Sequence, residues 1–448
     1  MLVSPGRLSK QRSFAGRCGH RSALRAVLGG VTALLLLVLT AAPAAGQEDS
    51  VSVSPADSAA VADSIGAAVD SAIAEADTLR DNHPQDSPET TGFVFQTPDK
   101  KGQLRIRASI RLNGAYDFNG LQNTDNFDTY LIPVGETVSE QARFYLQATQ
   151  TRVGFELSRA TSGGVVFGRI EADFRGPDNT FRLRHAFGEY KHFLAGQTWS
   201  TFSDVEALPV TVDLEGPPSS TTVRTPQVRY SATVDDSMSW AVAIEAPQAD
   251  ITSPDSTADQ AYQGFGDITT RAKLSSDWGH LQMSGVFRSL AAKNSEGNTD
   301  FLPGIGAMLS GKSQVSERDA FLFQAVGGLA ISRFVGSLGG KGLDLVYNPV
   351  SGKFEQMMSY GGFITWNHQR LFDRYLETNL TVGYLGVQNK NFQSDDAYKK
   401  SEYVSGNVFW RFTEGGRAGV EYSWGRRTNK DGEAGTATRL SFAAYFDF

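Results

Sequence analysis

Residues 438–448, "TRLSFAAYFDF", alternate strictly between two kinds of side chain. One set is apolar and ends on an aromatic residue: Leu440, Phe442, Ala444, Phe446 and Phe448. The other set is mixed: Arg439, Ser441, Ala443, Tyr445 and Asp447. A period of two predicts a β-strand with one apolar face. At the edge of a water-soluble sheet, this strand would expose four large apolar side chains, which natural edge strands avoid.

The same alternation recurs throughout the chain. In "GQLRIRASIRLN", residues 102–113, five apolar positions share one face: Leu104, Ile106, Ala108, Ile110 and Leu112. The opposite face carries Arg105, Arg107 and Arg111. Comparable stretches are "RFYLQ", "VRYSATV", "SWAVAIEA", "LQMSGVFRSL", "LTVGYLGV" and "AGVEYSWG". We expect each of them to be a strand with one apolar and one polar face.

The connections between these stretches are of two kinds. Short turn signals occur at 162–164, 235–237, 277–279 and 414–416. Longer polar segments occupy 119–140, 200–222, 247–266, 292–316, 389–400 and 428–437. Tight turns at one end and long loops at the other are typical of transmembrane β-barrels, and less so of a soluble sandwich. We therefore predict an all-β fold in which residues 93–448 form a transmembrane antiparallel β-barrel of about 16 strands.

The end of the chain also indicates a membrane. An alternating last strand that ends on an aromatic residue resembles the insertion signal of bacterial outer-membrane barrels, here Phe442, Phe446 and Phe448. This resemblance implies three things: contact with outer-membrane lipid, recognition by the barrel-assembly machinery, and location in the outer membrane of a Gram-negative-type bacterium.

Residues 1–46 are expected to be a signal peptide. Six basic residues precede the apolar run "AVLGGVTALLLLVLTAA", and the small residues "APAAG" follow it. A membrane anchor is less favoured because the apolar run is short and lacks a basic residue after it. Cys18, the single cysteine, lies in this segment, so cysteine chemistry is not expected in the exported chain.

Residues 47–92 are acidic and rich in Ala, Ser and Asp, with ten acids and one base. A disordered linker is one interpretation. A trimeric coiled coil over 54–80 is the other, because small and apolar residues follow a heptad seam: Ser58, Ala62, Ile65, Val69, Ala72, Ala76 and Leu79. On that reading, this segment is a short helical extension in the periplasm. The rest of the chain is nearly balanced in charge, so nucleic acid is not an expected partner.

Several motifs together resemble the DcaP-like trimeric outer-membrane porins. They are "FRLRHAFGEY" at 181–190, "GQTWSTFSD" at 196–204, "VDLEGPP" at 212–218, "VRTPQVRY" at 223–230 and "EYSWGRRTNKDGEAG" at 421–435. The resemblance covers most of residues 93–448, but no distinctive motif lies between 292 and 354. It implies a homotrimer of barrels that admit small anionic solutes, dicarboxylates among them.

On the barrel interpretation, basic side chains line the pore. Strand alternation selects Arg105, Arg107, Arg111, Arg143, Arg152, Arg169 and Arg229, and Arg224 is expected at the pore mouth. Guanidinium groups stay charged and present a planar fork to a carboxylate, which suits weak successive anion sites. Arg182 and Arg184 lie on a strand that needs a bulge, so their direction stays open. Each arginine can alternatively be a structural partner of an interior acid.

The stretch "GQTWSTFSDVEALPVTVDLEGP", residues 196–217, is too long and too acidic for a simple turn. We expect it to fold inward as a constriction loop after Trp199. Its acids, Asp204, Glu206, Asp213 and Glu215, then either screen the arginines or hold the loop in place.

Enzyme readings have weaker support. "GAMLSGKS", residues 306–313, matches the phosphate-loop pattern but lacks the flanking strand and helix, and it is interpreted as a long external loop. His185, Glu189 and His192 do not share one strand face, so neither a metal nor another cofactor is expected. The alternatives to a porin are a barrel enzyme such as a lipase, and a structural barrel that ties the outer membrane to the periplasm.

Overall fold

The computed structural model describes residues 92–119, 121, 125–135, 142–253, 260–293, 298–370 and 375–448. The predictions for residues 1–46 and for the extension up to residue 91 therefore lie outside the described residues. Within those ranges, no helix is long and apolar enough to cross a membrane.

Sixteen antiparallel strands form a closed barrel. The first eight are β1 Gly102–Asp117, β2 in two segments Arg143–Gln147 and Arg152–Thr161, β3 Gly164–Asp173, β4 Arg182–Tyr190, β5 Phe193–Trp199, β6 Arg224–Asp235, β7 Met238–Glu245 and β8 Asp267–Ser276. The second eight are β9 Gly279–Arg288, β10 Gly304–Gln314, β11 Asp319–Leu329, β12 Met358–Gln369, β13 Leu376–Gln388, β14 Tyr398–Thr413, β15 Gly416–Asn429 and β16 Ala434–Asp447. The predicted barrel is thus confirmed.

The barrel closes where the first strand meets the last. β1 pairs with β2 along one edge and with β16 along the other, from Ser109 opposite Asp447 to Asp117 opposite Arg439. A short strand, Phe93–Gln96, pairs with the remaining part of β1 beside the chain end. The main-chain groups of Ala108 and Phe448 also bond to each other, so the terminal aromatic residue lies at the seam.

The two ends of the barrel differ. Connections at one end span only a few residues, and the turn signals at 162–164, 235–237, 277–279 and 414–416 all fall there, as predicted. At the other end, the connections span 118–142, 174–181, 200–223, 246–266, 289–303, 330–357, 389–397 and 430–433. These include short strands Ile251–Thr252, Gln260–Gln263, Leu290–Lys293, Thr299–Phe301, Leu345–Asn348 and Lys353–Gln356, and 3₁₀ turns Thr129–Leu131, Pro177–Asn179, Val205–Ala207, Ser332–Phe334 and Gly336–Leu338.

One predicted loop is wrong. Residues 306–313, interpreted as an external loop, lie inside β10, which pairs with β9 and β11 along its length. The glycines of this strand relieve crowding, because a Cβ at Gly306 would lie 2.9 Å from Ile331 and one at Gly311 would lie 2.4 Å from the His280 carbonyl. A phosphate-binding loop before a helix is therefore not present here.

Alternation places the two kinds of side chain on opposite faces of the wall. On β16, Leu440, Phe446 and the following Phe448 are exposed on the outer face, whereas Arg439 and Ser441 are buried inside. Aromatic residues gather near both ends of the outer face, which is typical of membrane barrels. They include Tyr116, Phe118 and Tyr422 at the loop end, and Phe193, Tyr230, Trp240, Trp410 and Phe412 at the turn end.

Candidate functional site in the barrel interior

The connection 200–223 runs inside the barrel. Its first residues bond to β7, where the hydroxyl of Ser200 and the backbone N–H of Thr201 donate to the Glu245 carboxylate at 2.9 and 2.8 Å. Phe202, Val205 and many of the residues that follow are buried. A connection that was predicted from its length and acidity to fold inward thus lies against the interior wall.

Side chains of four strands, β9, β11, β14 and β15, bind the backbone of this loop. Three side-chain amides donate to loop carbonyls: Gln282 to Ser203 at 3.1 Å, Asn407 to Val210 at 2.8 Å and Gln324 to Ser219 at 2.6 Å. The Glu421 carboxylate accepts the backbone N–H of Val212 at 2.9 Å. Apolar loop residues fill the spaces between these bonds. Val205 and Leu208 pack with Trp199 and Phe363, and Val212 packs with Phe409 and Tyr445. Most of the strands that hold the loop therefore belong to β7–β16, although Gln227 of β6 also accepts from Thr201 Oγ1 at 3.1 Å.

Each acid of the loop has a partner. Asp204 accepts from Ser310 at 2.6 Å and lies 2.9 Å from His280 Nε2. Glu206 pairs with Lys273 of β8 at 2.7 Å. Burial opposes the ionisation of Asp204, but the hydrogen bonds of His280 and Ser310 and the charge of Lys273 outweigh it and lower its pKa. These two acids hold the first half of the loop.

The second pair of acids holds the other half. Asp213 lies 3.1 Å from Arg439 Nη1 and accepts the backbone N–H of Phe127 at 2.9 Å. Glu215 accepts from Asn126 Nδ2 at 2.9 Å and from Ser337 Oγ at 3.2 Å. Among the described residues, none of these four acids forms a hydrogen bond or ion pair with an interior arginine of β1–β6.

Two further segments accompany the loop, and sequence reasoning missed both. Phe334 stacks edge-on against Phe202 at 5.4 Å, and the amide of Gly336 donates to the Ser220 carbonyl at 2.7 Å. In the other segment, Thr129 Oγ1 donates to Ser401 Oγ of β14 at 2.8 Å. A signal was available for the first segment, because an external loop rarely contains so many apolar residues as Ala330, Ile331, Phe334, Val335 and Leu338.

Glu215 should make the stability of the barrel depend on pH. Burial, together with the charges of Asp128 and Asp213, raises its pKa from 4.5 to about 7. Because the folded pKa is higher than the unfolded one, the stability contribution is present below pH 4.5 and is lost as the pH rises towards 7. Glu215→Gln removes this loss, so at pH 8 the variant should be more stable than the wild type by on the order of 3 kcal/mol.

Urea unfolding in detergent micelles at pH 4 and pH 8 checks this expectation. At pH 4 the wild type and Glu215→Gln should unfold at nearly the same urea concentration. A stability difference that is the same at both pH values would contradict it.

Of the eleven arginines on the neighbouring strands β1–β6, nine form one group, and the other two are Arg143 and Arg159 of β2. Pairing and burial place eight of the nine on the interior face: Arg105, Arg107, Arg111, Arg152, Arg169, Arg182, Arg184 and Arg229. The ninth, Arg224, begins β6 and lies over the Trp199 ring, with its Cζ 4.6 Å from the ring centre. We call these nine residues the arginine wall. Most of the residues that fasten the loop lie on other strands.

A β-bulge places two of these arginines side by side. The pairing of β3 with β4 shifts between Glu171 and Ala172, so Arg184 is the extra residue on β4. Arg182 consequently binds Asp173 through two nitrogens, at 2.9 and 2.6 Å. Arg184 reaches Glu171 at 2.6 Å and Asp173 at 3.4 Å. The direction of both side chains, which the sequence left open, is therefore inward.

Part of the arginine wall is paired with carboxylates of the same wall. Arg107 lies 3.1 Å from Glu156, and Arg169 lies 2.5 Å from Glu171. Arg111 is only 1% exposed and stacks over Tyr445 at 5.1 Å, so it lies behind the surface of the wall. Arg107, Arg152 and Arg169 line one small cavity with Glu171 and Ser109. Structural pairing, the alternative reading, thus applies to some of these arginines.

Arg224 and Arg143 differ from the others. Within the described part of the chain, no carboxylate lies within ion-pair distance of Arg224. Its electrostatic neighbours are the cations Arg182 and Arg184 and the anions Glu171 and Asp173. Arg143 is exposed at the loop end of β2, where Nη1 approaches the Leu121 carbonyl at 3.5 Å. The structure therefore brings Arg224 to the arginine wall and leaves Arg143 at the rim.

The histidines considered for a metal do not come together. His185 faces inward and lies 3.0 Å from Thr198 Oγ1, while His192 lies in a turn 3.1 Å from the Ser231 carbonyl. Among the described residues, no group of three or more His, Cys, Asp or Glu side chains is placed to hold a metal ion.

The family model for the DcaP outer membrane protein matches residues 93–448. The chain belongs to the DcaP family. It is therefore an outer-membrane β-barrel of a porin or channel family. No curated protein sequence matches the chain.

Solved porin structures share the fold. The outer membrane channel DcaP of Acinetobacter baumannii superposes with a TM-score of 0.68 at 20% identity, over 79% of this chain and 99% of that chain. An anion-selective porin from Comamonas acidovorans gives a TM-score of 0.51 at 9% identity, over 78% and 100%. The trimer form of OmpT from Vibrio cholerae gives 0.50 at 11% identity, over 78% and 100%.

Proposed function

We propose that this chain is a passive diffusion porin that admits small hydrophilic solutes and prefers anions, including dicarboxylates. One observation carries the proposal: nine arginines share one side of the interior, while the acids of the inward loop are bound to other partners. A cationic wall with neutralised acids near it attracts anions into the opening. Guanidinium groups then offer weak successive carboxylate sites along the path.

The inward loop acts as the constriction in this proposal. Trp199 lies just before the loop and packs under Arg224. Asp204, Glu206, Asp213 and Glu215 bind the loop to strands among β7–β16 and to the neighbouring interior segments. Because the acids are used for anchoring, they screen the arginine wall only weakly. The loop narrows the opening without cancelling its charge.

Liposome swelling tests the preference for small anions. Liposomes containing the protein should admit succinate several-fold faster than putrescine, a dication of similar length. Erythritol, which is neutral, should enter at an intermediate rate, and liposomes without protein supply the baseline. Equal rates for succinate and putrescine would contradict the preference, and no flux of any solute would contradict the porin function.

The remaining assignments extend this proposal to the whole chain. Residues 1–46 serve as the signal peptide, residues 47–92 form a periplasmic extension, and residues 54–80 trimerise as a coiled coil. The terminal strand with Phe442, Phe446 and Phe448 delivers the chain to the barrel-assembly machinery. Conductance steps grouped in threes in planar bilayers would support the homotrimer, whereas single equal steps would contradict it.

A further inference from the structure

A groove lies outside the barrel interior, at the loop end of β12–β14. It encloses about 610 Å³ and is lined by Met358 and Tyr360 of β12, Gln388 of β13, Lys399 of β14, and Asn391 and Lys430 of the adjacent connections. Most of these side chains are polar, and two are cationic. The channel function proposed above uses none of them.

The two lysines differ in what holds them. Lys399 is exposed at an irregularity in the pairing of β14 with β15, between Tyr398 and Lys400. It makes no hydrogen bond, ion pair or ring contact through its side chain with any residue that the structure describes. Lys430 Nζ donates to the carbonyls of Asn391 and Gln393 and lies 3.5 Å from Asp395, so its ammonium group is already partnered at the groove edge. Lys399 is thus available to an external anion.

Nearby carboxylates have other cations as partners. Glu402 lies 2.9 Å from Lys400, and Glu355 lies 3.2 Å from Lys390. Asp395 lies 3.5 Å from Lys430, with its side chain almost fully exposed. Among the described residues, none of these three carboxylates forms an ion pair with Lys399.

The groove adjoins the lipid-facing surface. Tyr360 and Tyr384 lie on the outer face with ring centres 6.2 Å apart. Farther from the loop end, the same two strands expose Ile364, Leu380 and Val382. Tyrosine is enriched where a membrane protein passes from hydrocarbon to water, so the groove lies at the level of the lipid headgroups.

We infer that this groove binds the phosphate-bearing headgroup of a lipid in the outer leaflet. Lys399 supplies the charge for the phosphate, and Gln388 and Asn391 supply amide groups for neighbouring hydroxyls. The apolar surface below Tyr360 receives the acyl chains. Basic residues at a membrane surface attract anionic headgroups, and a lysine binds phosphate as a point charge.

Native mass spectrometry of the detergent-solubilised full-length protein tests the site with diphosphoryl lipid A. The wild type should retain the lipid, and Lys399→Glu should reduce the bound fraction by roughly tenfold, because the charge is reversed at the headgroup. Since Lys399 is exposed and makes no side-chain contact with a described residue, this variant should fold normally. Lys100→Glu, an exposed lysine at the turn end, is the matched control and should retain the lipid.

Two results would overturn the inference. Equal retention of lipid A by the wild type and Lys399→Glu would show that the groove does not bind the lipid headgroup through Lys399. Displacement of lipid A by a large excess of inorganic phosphate would show a free-phosphate site instead of a lipid site. The ion selectivity of Lys399→Glu should match that of the wild type, so the outcome is independent of the proposed channel function.

Discussion

Replacing Arg105, Arg182 and Arg224 with glutamine should remove most of the anion preference that we propose for the channel. These three arginines are half-buried. Arg107 and Arg169 are also half-buried, but their side chains are only 13% and 15% exposed and are paired with Glu156 and Glu171. At roughly 6 Å in water, one unit charge contributes about 0.7 kcal/mol, so three contribute roughly 2 kcal/mol. That energy corresponds to a change of at least about tenfold in the ratio of anion to cation permeability.

The variant should keep its fold. Glu171 and Asp173 retain Arg169 and Arg184 as partners after Arg182 is replaced. Reversal potentials in planar bilayers under a KCl gradient measure the permeability ratio. A matched control replaces three exposed arginines elsewhere, Arg159, Arg318 and Arg426, and should leave the ratio unchanged. Unchanged selectivity in the wall variant would show that these arginines do not form the filter.

Replacing Arg439 with methionine should have the largest effect on stability. Arg439 is fully buried between two carboxylates, with Nε 2.6 Å from Asp117 and Nη1 3.1 Å from Asp213. Removing one partner of a buried ion pair leaves an uncompensated charge and costs about 3–5 kcal/mol. Because Asp213 belongs to the inward loop, this change should also loosen the loop where it meets β16.

Urea unfolding of Arg439→Met in micelles, together with single-channel recordings, measures both effects. We expect a lower unfolding midpoint and noisier open-channel current. The triple variant Arg439→Met, Asp117→Asn, Asp213→Asn removes all three charges and should recover part of the loss. A midpoint for Arg439→Met equal to that of the wild type would contradict the role of this network.

The strands were predictable because two different environments impose a period of two. Lipid faces one side of the wall and polar groups face the other, so position alone assigns the direction of Arg111 or Phe446. The sequence also indicated that "FRLRHAFGEY" needs a bulge. It could not place Arg182 and Arg184, since the position of a bulge depends on the partner strand, here at Glu171 and Ala172.

The interior segments were less predictable because their contacts are distant in sequence. The loop after Trp199 can be recognised in the sequence from its length and its acidic residues. By contrast, Arg333 is held by Asp267 at 3.1 Å, and Gly336 by Ser220, and no local pattern identifies such partners. The glycines of β10 led to the wrong prediction of a loop for a related reason. They are needed because neighbours that are distant in sequence lie too close for a Cβ, as Ile331 does beside Gly306.

The reversal potential of the wild-type channel under a KCl gradient tests the central claim most directly. A wall of arginines that faces neutralised loop acids predicts a potential of the sign set by chloride, with anions clearly more permeable than potassium. A potential near zero, or one of the opposite sign, would contradict the assignment of this porin as anion-selective.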